Sequence, residues 1–238
     1  MSIHRELLEY SYEQQLTHIP SALSMLDYVH HIFNDGVVTL NDFIVIGKPF
    51  GAQAYYLTCR DLGLLDVIEK LGVCVMHVEI DFVDYGEETM GNALGVAIGM
   101  AMAHPDKRVW VNITDATLQM GNTLEAMQFI GHNNIKNILC TIDYNDKQVT
   151  GNTSDVLDVD PVLDMCIQGG WNRTGCNGHV KSALKYTFDN LSEDKPNLVV
   201  MYTVKGNGVQ SFTDDIKKWH YKKIQDIDEL AGLIGELK

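Results

Sequence analysis

Residues 109–151 read VWVNITDATLQMGNTLEAMQFIGHNNIKNILCTIDYNDKQVTG and contain two apolar runs separated by a helix-like segment. The runs at 109–113 and 138–142 are rich in Val and Ile, as buried parallel strands are. The intervening residues 123–130 have the spacing of a helix. A strand, a helix and a strand form a right-handed βαβ unit, in which both strands end at the same edge of the sheet. This stretch therefore predicts a parallel sheet.

Two polar residues follow the ends of these strands. Asp115 and Asn145 are 30 residues apart, so both are expected at the carboxyl edge of the sheet, where open α/β sheets bind ligands. A carboxylate, an amide oxygen and a nearby backbone carbonyl suit Mg²⁺ or Ca²⁺, which take oxygen ligands and leave positions for phosphate oxygens and water. The alternative is that both residues only stabilise turns or cap helices.

Strands and helices alternate on either side of this unit. Further strands are predicted at 43–46, 73–78 and 198–202, with a weaker one near 171–174. Further helices are predicted at 21–33, 52–62, 90–102, 161–168 and 180–191. This rhythm predicts a three-layer α/β fold, namely a doubly wound, mainly parallel sheet with helices on both faces.

The chain is expected to form a single domain over residues 1–238. Within it, residues 222–238 are predicted to be a C-terminal amphipathic helix, because apolar residues recur there every three or four positions. This helix either packs on its own domain or offers a face to a partner chain.

The composition bounds the classes of function. The 238 residues include 18 Lys+Arg and 32 Asp+Glu, which gives a formal net charge of −14. Such a chain repels phosphate backbones and anionic lipid headgroups, so we expect neither a nucleic acid nor a membrane partner. No stretch approaches the roughly 18 apolar residues of a membrane span. The five cysteines form no CxxC pair, and we therefore expect a cytoplasmic protein.

Four further segments flank the Asp115 and Asn145 pair. They are HIPSALS at 18–24, GKPFGA at 47–52, TMGNAL with AIGMA at 89–94 and 97–101, and KGNGV followed by WH at 205–209 and 219–220. Together with the pair, which is similar to a Gly-Asp-Gly…Asn motif, they resemble the N-terminal half of transketolase, a thiamine-diphosphate enzyme. The corresponding family motifs are GHxGxxLS, SKGHAA, SLGQGL with AVGMA, and KGKGV with WHG.

The resemblance implies a thiamine-diphosphate-binding fold with identifiable site residues. The implied metal ligands, for Mg²⁺ or alternatively Ca²⁺, are Asp115, Asn145 and the main-chain oxygen of Lys147. The implied cofactor contacts are Met90 (against the thiazolium ring), Gly91, Asp115, Ala116, Asn145 and His220. The implied catalytic residues are His18 and His220, which would contact substrate hydroxyls or cofactor phosphate and move protons. His77 matches a further active-site histidine less well.

The resemblance also implies a reaction and a partner. Transketolases transfer a two-carbon ketol unit from a ketose or ketose phosphate to an aldehyde acceptor. Their chains continue well beyond the position that corresponds to Lys238. We therefore expect a separate C-terminal subunit to supply the pyrimidine-binding half and the glutamate that activates the cofactor, in an α₂β₂ assembly.

Several positions depart from the family pattern. Thr114 and Ala116 replace the glycines of Gly-Asp-Gly. Phe50 replaces a histidine, Met120 a glutamate and Glu88 a loop glycine. Because Phe50 can neither move a proton nor form a hydrogen bond, two alternatives stay open. One is a catalytically degenerate, transketolase-like binding or regulatory subunit, and the other is a thiamine-diphosphate enzyme with different donor chemistry.

Overall fold

Six parallel strands form one sheet in the computed structural model, which describes residues 2–63 and 83–237. They are β1 (Phe43–Ile46), β2 (Tyr85–Gly86), β3 (Val109–Thr114), β4 (Ile138–Tyr144), β5 (Asn172–Asn177) and β6 (Asn197–Tyr202). Their order across the sheet is β2-β1-β3-β4-β6-β5, and every neighbouring pair is parallel. The predicted strand at 73–78, together with His77, lies outside the described residues.

Helices cover both faces of this sheet. They are α1 (Ile3–Glu13), α2 (Ile19–Asn34), α3 (Gln53–Asp61), α4 (Ala93–Ala103), α5 (Gly121–His132), α6 (Thr153–Val156), α7 (Asp160–Gln168), α8 (Lys181–Asp189), α9 (Gln210–Asp214), α10 (Ile216–Tyr221) and α11 (Ile227–Glu236). A 3₁₀ turn, Asp115–Gln119, follows β3 directly. This arrangement confirms the predicted α/β class, and the described part of the sheet is parallel throughout.

Alternating side chains of the central strands build two separate cores. Trp110 and Leu139 pack on one face with residues from α1, α2 and α3, while Val111 and Cys140 pack on the other face with residues from α4, α5 and α7. This division follows from the two-residue period of a strand, which turns successive side chains to opposite faces. Because both faces are covered, the central strands need apolar residues at nearly every position.

The predicted C-terminal helix starts later than expected. Residues 222–226 are not helical, and α11 begins at Ile227 because the side chain of Asp226 caps it by accepting a hydrogen bond from the Glu229 N–H at 2.9 Å. Leu230 and Leu233 are buried in the same core as α1, against which α11 packs. The apolar face of this helix is therefore directed at its own fold.

The contact between α5 and the turn before β5 gives a test of this packing. A Cβ atom on Gly131 would lie 2.3 Å from the carbonyl oxygen of Gly169, whereas a Cβ on the helical Gly95 of α4 would meet no atom within 4 Å. We expect Gly131→Ala to lower the free energy of unfolding by about 1–3 kcal/mol through overpacking. The matched control Gly95→Ala should raise it by roughly 0.5–1 kcal/mol, because alanine favours a helix. Chemical denaturation measures both, and equal effects of the two variants would contradict the packing described.

Candidate active site

The carboxyl ends of β3 and β4 bring Asp115 and Asn145 to the same edge of the sheet. Thr114 and Asp143 are neighbours in the β3–β4 register, so the residues that follow them leave the sheet side by side. Asp115 is fully buried, and its Oδ1 accepts hydrogen bonds from the Ala116 N–H at 2.7 Å and the Thr114 hydroxyl at 2.8 Å. Its Oδ2 accepts from the Asp146 N–H at 2.6 Å, which ties the β3 turn to the β4 loop.

The amide of Asn145 has a defined orientation. Its Nδ2 donates to the Asp143 carboxylate at 2.7 Å, and its Oδ1 accepts from the Lys147 N–H at 3.0 Å. The carbonyl oxygen of Lys147 accepts a hydrogen bond from the Lys205 ammonium group at 3.3 Å. A carboxylate, an amide oxygen and a main-chain carbonyl thus lie in neighbouring, hydrogen-bonded segments. The Lys205 ammonium group contacts the carbonyl.

A buried ion pair lies directly beneath these oxygens. Lys48 donates to the carboxylate of Asp143, which is fully buried and also accepts hydrogen bonds from the hydroxyls of Ser24 at 2.8 Å and Thr203 at 2.5 Å. Burial opposes ionisation of Asp143, but the Lys48 ammonium group and these donors outweigh it and lower the pKa of this carboxyl. Burial, together with the charge of Asp143, raises the pKa of Asp115.

Two imidazoles and an ammonium group line the next part of the edge. The ring centroids of His18 and His220 are 4.9 Å apart, and the Lys205 nitrogen lies 3.5 Å from Nδ1 of His220. Burial and the nearby positive charges lower the pKa of each histidine to about 4. Burial, with the charge of Lys48, lowers the pKa of Lys205 to about 8. At neutral pH both imidazoles are therefore uncharged.

Aromatic rings surround His18. Phe50 stacks on it with a centroid separation of 4.8 Å, and Tyr221 meets it edge-on at 5.2 Å. Phe50, one of the residues that depart from the family pattern, therefore lies against one of the two predicted catalytic histidines. His18 itself has a left-handed backbone (φ 57°) immediately before α2, whose first turn contains Pro20.

The loop before α4 lies beside the 3₁₀ turn. The Thr117 hydroxyl is 3.9 Å from the sulfur of Met90, and a Cβ on Gly91 (φ 121°) would lie 3.0 Å from the sulfur of Met120. Glu87, which is nearly buried, accepts hydrogen bonds from the N–H groups of Gly91 at 2.9 Å and Asn92 at 3.0 Å. Met90 and Gly91 thus lie beside the 3₁₀ turn that begins at Asp115 and the helix start that follows it, and their contact with a cofactor stays a prediction.

Some residues of the site are absent from the sequence-based assignment. Lys48 and Lys205 occur within the quoted motifs without an assigned role, and Asp143 and Glu87 receive none. The sequence does contain a signal for two of them. Lys48 follows a buried apolar strand and Asp143 lies within one, and a charge in such a place needs a partner.

The donor set at this edge is of the kind that suits a divalent cation. Asp115, Asn145 and the Lys147 carbonyl offer only oxygen, which is the ligand type that Mg²⁺ prefers. One of these oxygens, the Lys147 carbonyl, accepts a hydrogen bond from the Lys205 ammonium group at 3.3 Å. No group of three or more His, Cys, Asp or Glu side chains that could hold a metal occurs within residues 2–63 and 83–237. The set proposed at this edge differs from such a group, because it has one carboxylate (Asp115), one side-chain amide (Asn145) and one main-chain carbonyl (Lys147).

Comparisons with known proteins show what this chain is similar to. The family profile described as "Thiamine pyrophosphate enzyme, C-terminal TPP binding domain" matches residues 75–154. The chain is 27% identical over 239 residues to an apulose-4-phosphate transketolase subunit of Phocaeicola vulgatus, covering 91% of this chain and 85% of that protein. It is 25% identical to the 6-deoxy-6-sulfo-D-fructose transketolase subunit SqwG of a Clostridium species, covering 78% of this chain and 72% of that protein.

Solved structures share the fold. Transketolase from Leishmania mexicana superposes with a TM-score of 0.68 at 15% identity, covering 98% of this chain and 42% of that one. The chain also spans only 34% of the transketolase-like protein 2 of Bos taurus, to which it is 27% identical. The fold is therefore that of thiamine-diphosphate-dependent α/β enzymes. More particularly, the chain resembles the N-terminal half of transketolase, in the form found in the first subunit of a split transketolase.

None of the helices in the described ranges has the length and hydropathy that crossing a membrane requires. A cytoplasmic location stays a prediction.

The two histidines predict how stability depends on pH. Each has a lowered pKa in the folded chain, so between about pH 4 and 6.5 the unfolded chain binds more protons and stability falls as the pH falls. We expect the thermal midpoint to drop over this window. His18→Asn, which tolerates the left-handed backbone, should reduce the dependence. Differential scanning calorimetry from pH 4 to 8 measures it, and an unchanged pH profile in the variant would contradict the assignment.

Proposed function

We propose that this chain is the thiamine-diphosphate- and Mg²⁺-binding subunit of a transketolase-like transferase. The reaction would move a two-carbon ketol unit from a ketose or ketose phosphate to an aldehyde acceptor. The observation that carries this proposal is the convergence of Asp115, Asn145 and the Lys147 carbonyl at the carboxyl edge of a sheet whose sequence and fold are transketolase-like.

Each predicted site residue has a place in this proposal. Asp115, Asn145 and the Lys147 carbonyl would hold Mg²⁺, and Ala116 would bring backbone close to the diphosphate. Lys205 and His220 would contact the anionic end of the cofactor, since the ammonium group already lies 3.3 Å from the Lys147 carbonyl. Met90 and Gly91, in the loop beside the 3₁₀ turn, would contact the ring system.

When bound, thiamine diphosphate supplies the carbanion chemistry that breaks and forms carbon–carbon bonds. The protein's part is to orient the substrate and to move protons. We assign this role to His18 and His220. Their lowered pKa values leave uncharged imidazoles at neutral pH, and an uncharged imidazole can accept a hydrogen bond from a substrate hydroxyl.

A partner subunit is part of the proposal. The chain covers 85% of a protein named as a transketolase subunit but only 42% of a solved transketolase. We infer that a second, C-terminal transketolase-like subunit contributes the pyrimidine-binding half, and that the two form an α₂β₂ assembly. The substrate would be a small sugar or sugar phosphate that enters between the subunits.

One observation favours the second candidate, a degenerate binding or regulatory subunit. Phe50 lies flat against His18 at 4.8 Å, at a position where the family has a histidine. A phenyl ring there removes one proton-transfer group and one hydrogen-bonding partner for a substrate hydroxyl. The same change suits a third candidate, a thiamine-diphosphate enzyme whose donor is a 2-oxo acid.

Isothermal titration calorimetry tests cofactor binding. We expect thiamine diphosphate to bind in the presence of Mg²⁺, and Asp115→Asn to weaken it by about tenfold or more, because the change removes a charged oxygen ligand. The matched control Asp164→Asn makes the same charge change at an exposed site on α7 and should leave the affinity unchanged. No binding by the unaltered chain, alone or with its partner subunit, would overturn the proposal.

Reconstitution with a C-terminal transketolase subunit from the same source tests the reaction. We expect ketol transfer from ketose phosphates only in the mixture, and a loss of activity with Asp115→Asn. Release of CO₂ from 2-oxo acids without ketol transfer would favour the third candidate. Cofactor binding without any turnover would favour the degenerate subunit.

A further inference from the structure

A chain of hydrogen bonds connects α2 with the segment that carries Lys205. The imidazole Nε2 of His179 lies 2.9 Å from the backbone nitrogen of Val204, and its Nδ1 lies 2.7 Å from the carboxylate of Asp27. A backbone N–H can only donate, so Nε2 must be the unprotonated acceptor. Nδ1 therefore carries the proton and donates it to Asp27, which determines the tautomer of His179.

The side chain of Asp27 is ionised, so it can accept the hydrogen bond from His179. It is partly buried, and burial works against its ionisation, but the hydrogen bonds from His179 and His4 lower its pKa to about 2. Asn207 donates to the same carboxylate oxygen at 3.3 Å, and its nitrogen lies 3.0 Å from Nδ1 of His179 because both groups donate to that oxygen. The carboxylate of α2 is thus a stable anchor for both ends of the segment 204–207.

Lys205 lies between two backbone anchors in this segment. Before it, the Val204 N–H is bound to His179; after it, the Gly206 N–H donates to the carbonyl of Pro20 at 2.9 Å. Gly206 has a positive φ of 87°, and a Cβ there would lie 2.7 Å from Phe212, so the backbone has little room for another path. With its backbone held on both sides, the Lys205 side chain reaches the Lys147 carbonyl and His220.

We propose that Asp27 and His179 are positioning residues that hold the 204–207 segment so that the Lys205 ammonium group points at the metal and diphosphate site. The Val204 amide is the link, because it joins the imidazole to the residue directly before Lys205. The role of Lys205 toward the cofactor rests on the proposed function. The hydrogen bonds that orient Lys205 are observed within this polypeptide and do not depend on that function.

Two substitutions of the same histidine separate the two links. In His179→Asn the short amide can still donate to Asp27 but cannot reach Val204. In His179→Gln the longer side chain places an amide oxygen where Nε2 stands, so it can still accept from Val204. The control is His4→Asn. Nε2 of His4 lies 3.2 Å from the carboxylate of Asp27, so this change alters the other histidine that contacts Asp27 and leaves the hydrogen bond to Val204 in place.

Hydrogen exchange and lysine labelling of the cofactor-free chain test the positioning. We expect His179→Asn to speed exchange of the peptide that contains Val204 by about tenfold and to raise acetylation of Lys205 by acetic anhydride. His179→Gln keeps the Val204 link and loses the Asp27 link, so it should restore both values only in part, and full restoration would remove Asp27 from the proposal. His4→Asn should leave both values unchanged. Normal exchange and labelling in His179→Asn, or equal changes in the asparagine and glutamine variants, would overturn the proposal.

Calorimetric titration with thiamine diphosphate and Mg²⁺ then tests the consequence for the site. We expect His179→Asn to weaken binding about tenfold while His179→Gln stays within about threefold. If the unaltered chain binds no cofactor, the proposed function fails, and the exchange data still decide whether Asp27 and His179 position Lys205. If Lys205 loosens but affinity stays constant, the positioning has no bearing on the cofactor and the inference is wrong.

Discussion

The buried ion pair between Lys48 and Asp143 is the interaction on which the rest of the site depends. It joins the segment after β1 to the end of β4, and the same carboxylate takes hydrogen bonds from Ser24 of α2 and Thr203 after β6. Breaking such a pair by removing one partner leaves a buried charge without compensation, which is strongly destabilising. Asp143 also holds the amide of Asn145, so the scaffold and the predicted metal ligand share one carboxylate.

The distribution of charge explains how an acidic chain can offer a site for an anionic cofactor. The net charge of −14 is a property of the whole chain, whereas the carboxyl edge of the sheet holds two cations, Lys48 and Lys205, beside Asp115 and Asp143, and its two imidazoles are uncharged. Asp143 neutralises Lys48, and Lys205 therefore presents its charge to the oxygens of the β4 loop. The backbone anchors around Lys205 give this charge a defined position, which is what recognition of a diphosphate requires.

The sequence predicts the central part of this structure better than its periphery. Strands β3 and β4 are buried on both faces, and their continuous Val and Ile runs reveal them, together with Asp115 and Asn145 at their ends. The edge strand β5 is polar and half-exposed, so only part of it is predicted. The links from Asp143 to Lys48 and from His179 to Asp27 join residues 95 and 152 positions apart, and no local pattern can indicate such pairs before the topology is known.

Anomalous diffraction from crystals grown with thiamine diphosphate and Mn²⁺ is the most direct test of the central claim, that the carboxyl edge between β3 and β4 is a metal–diphosphate site. We expect a single strong peak bounded by Asp115, Asn145 and the Lys147 carbonyl, with the Lys205 ammonium group moved from that carbonyl onto a phosphate oxygen. A metal bound elsewhere, or no metal with the Lys205–Lys147 contact intact, would contradict it.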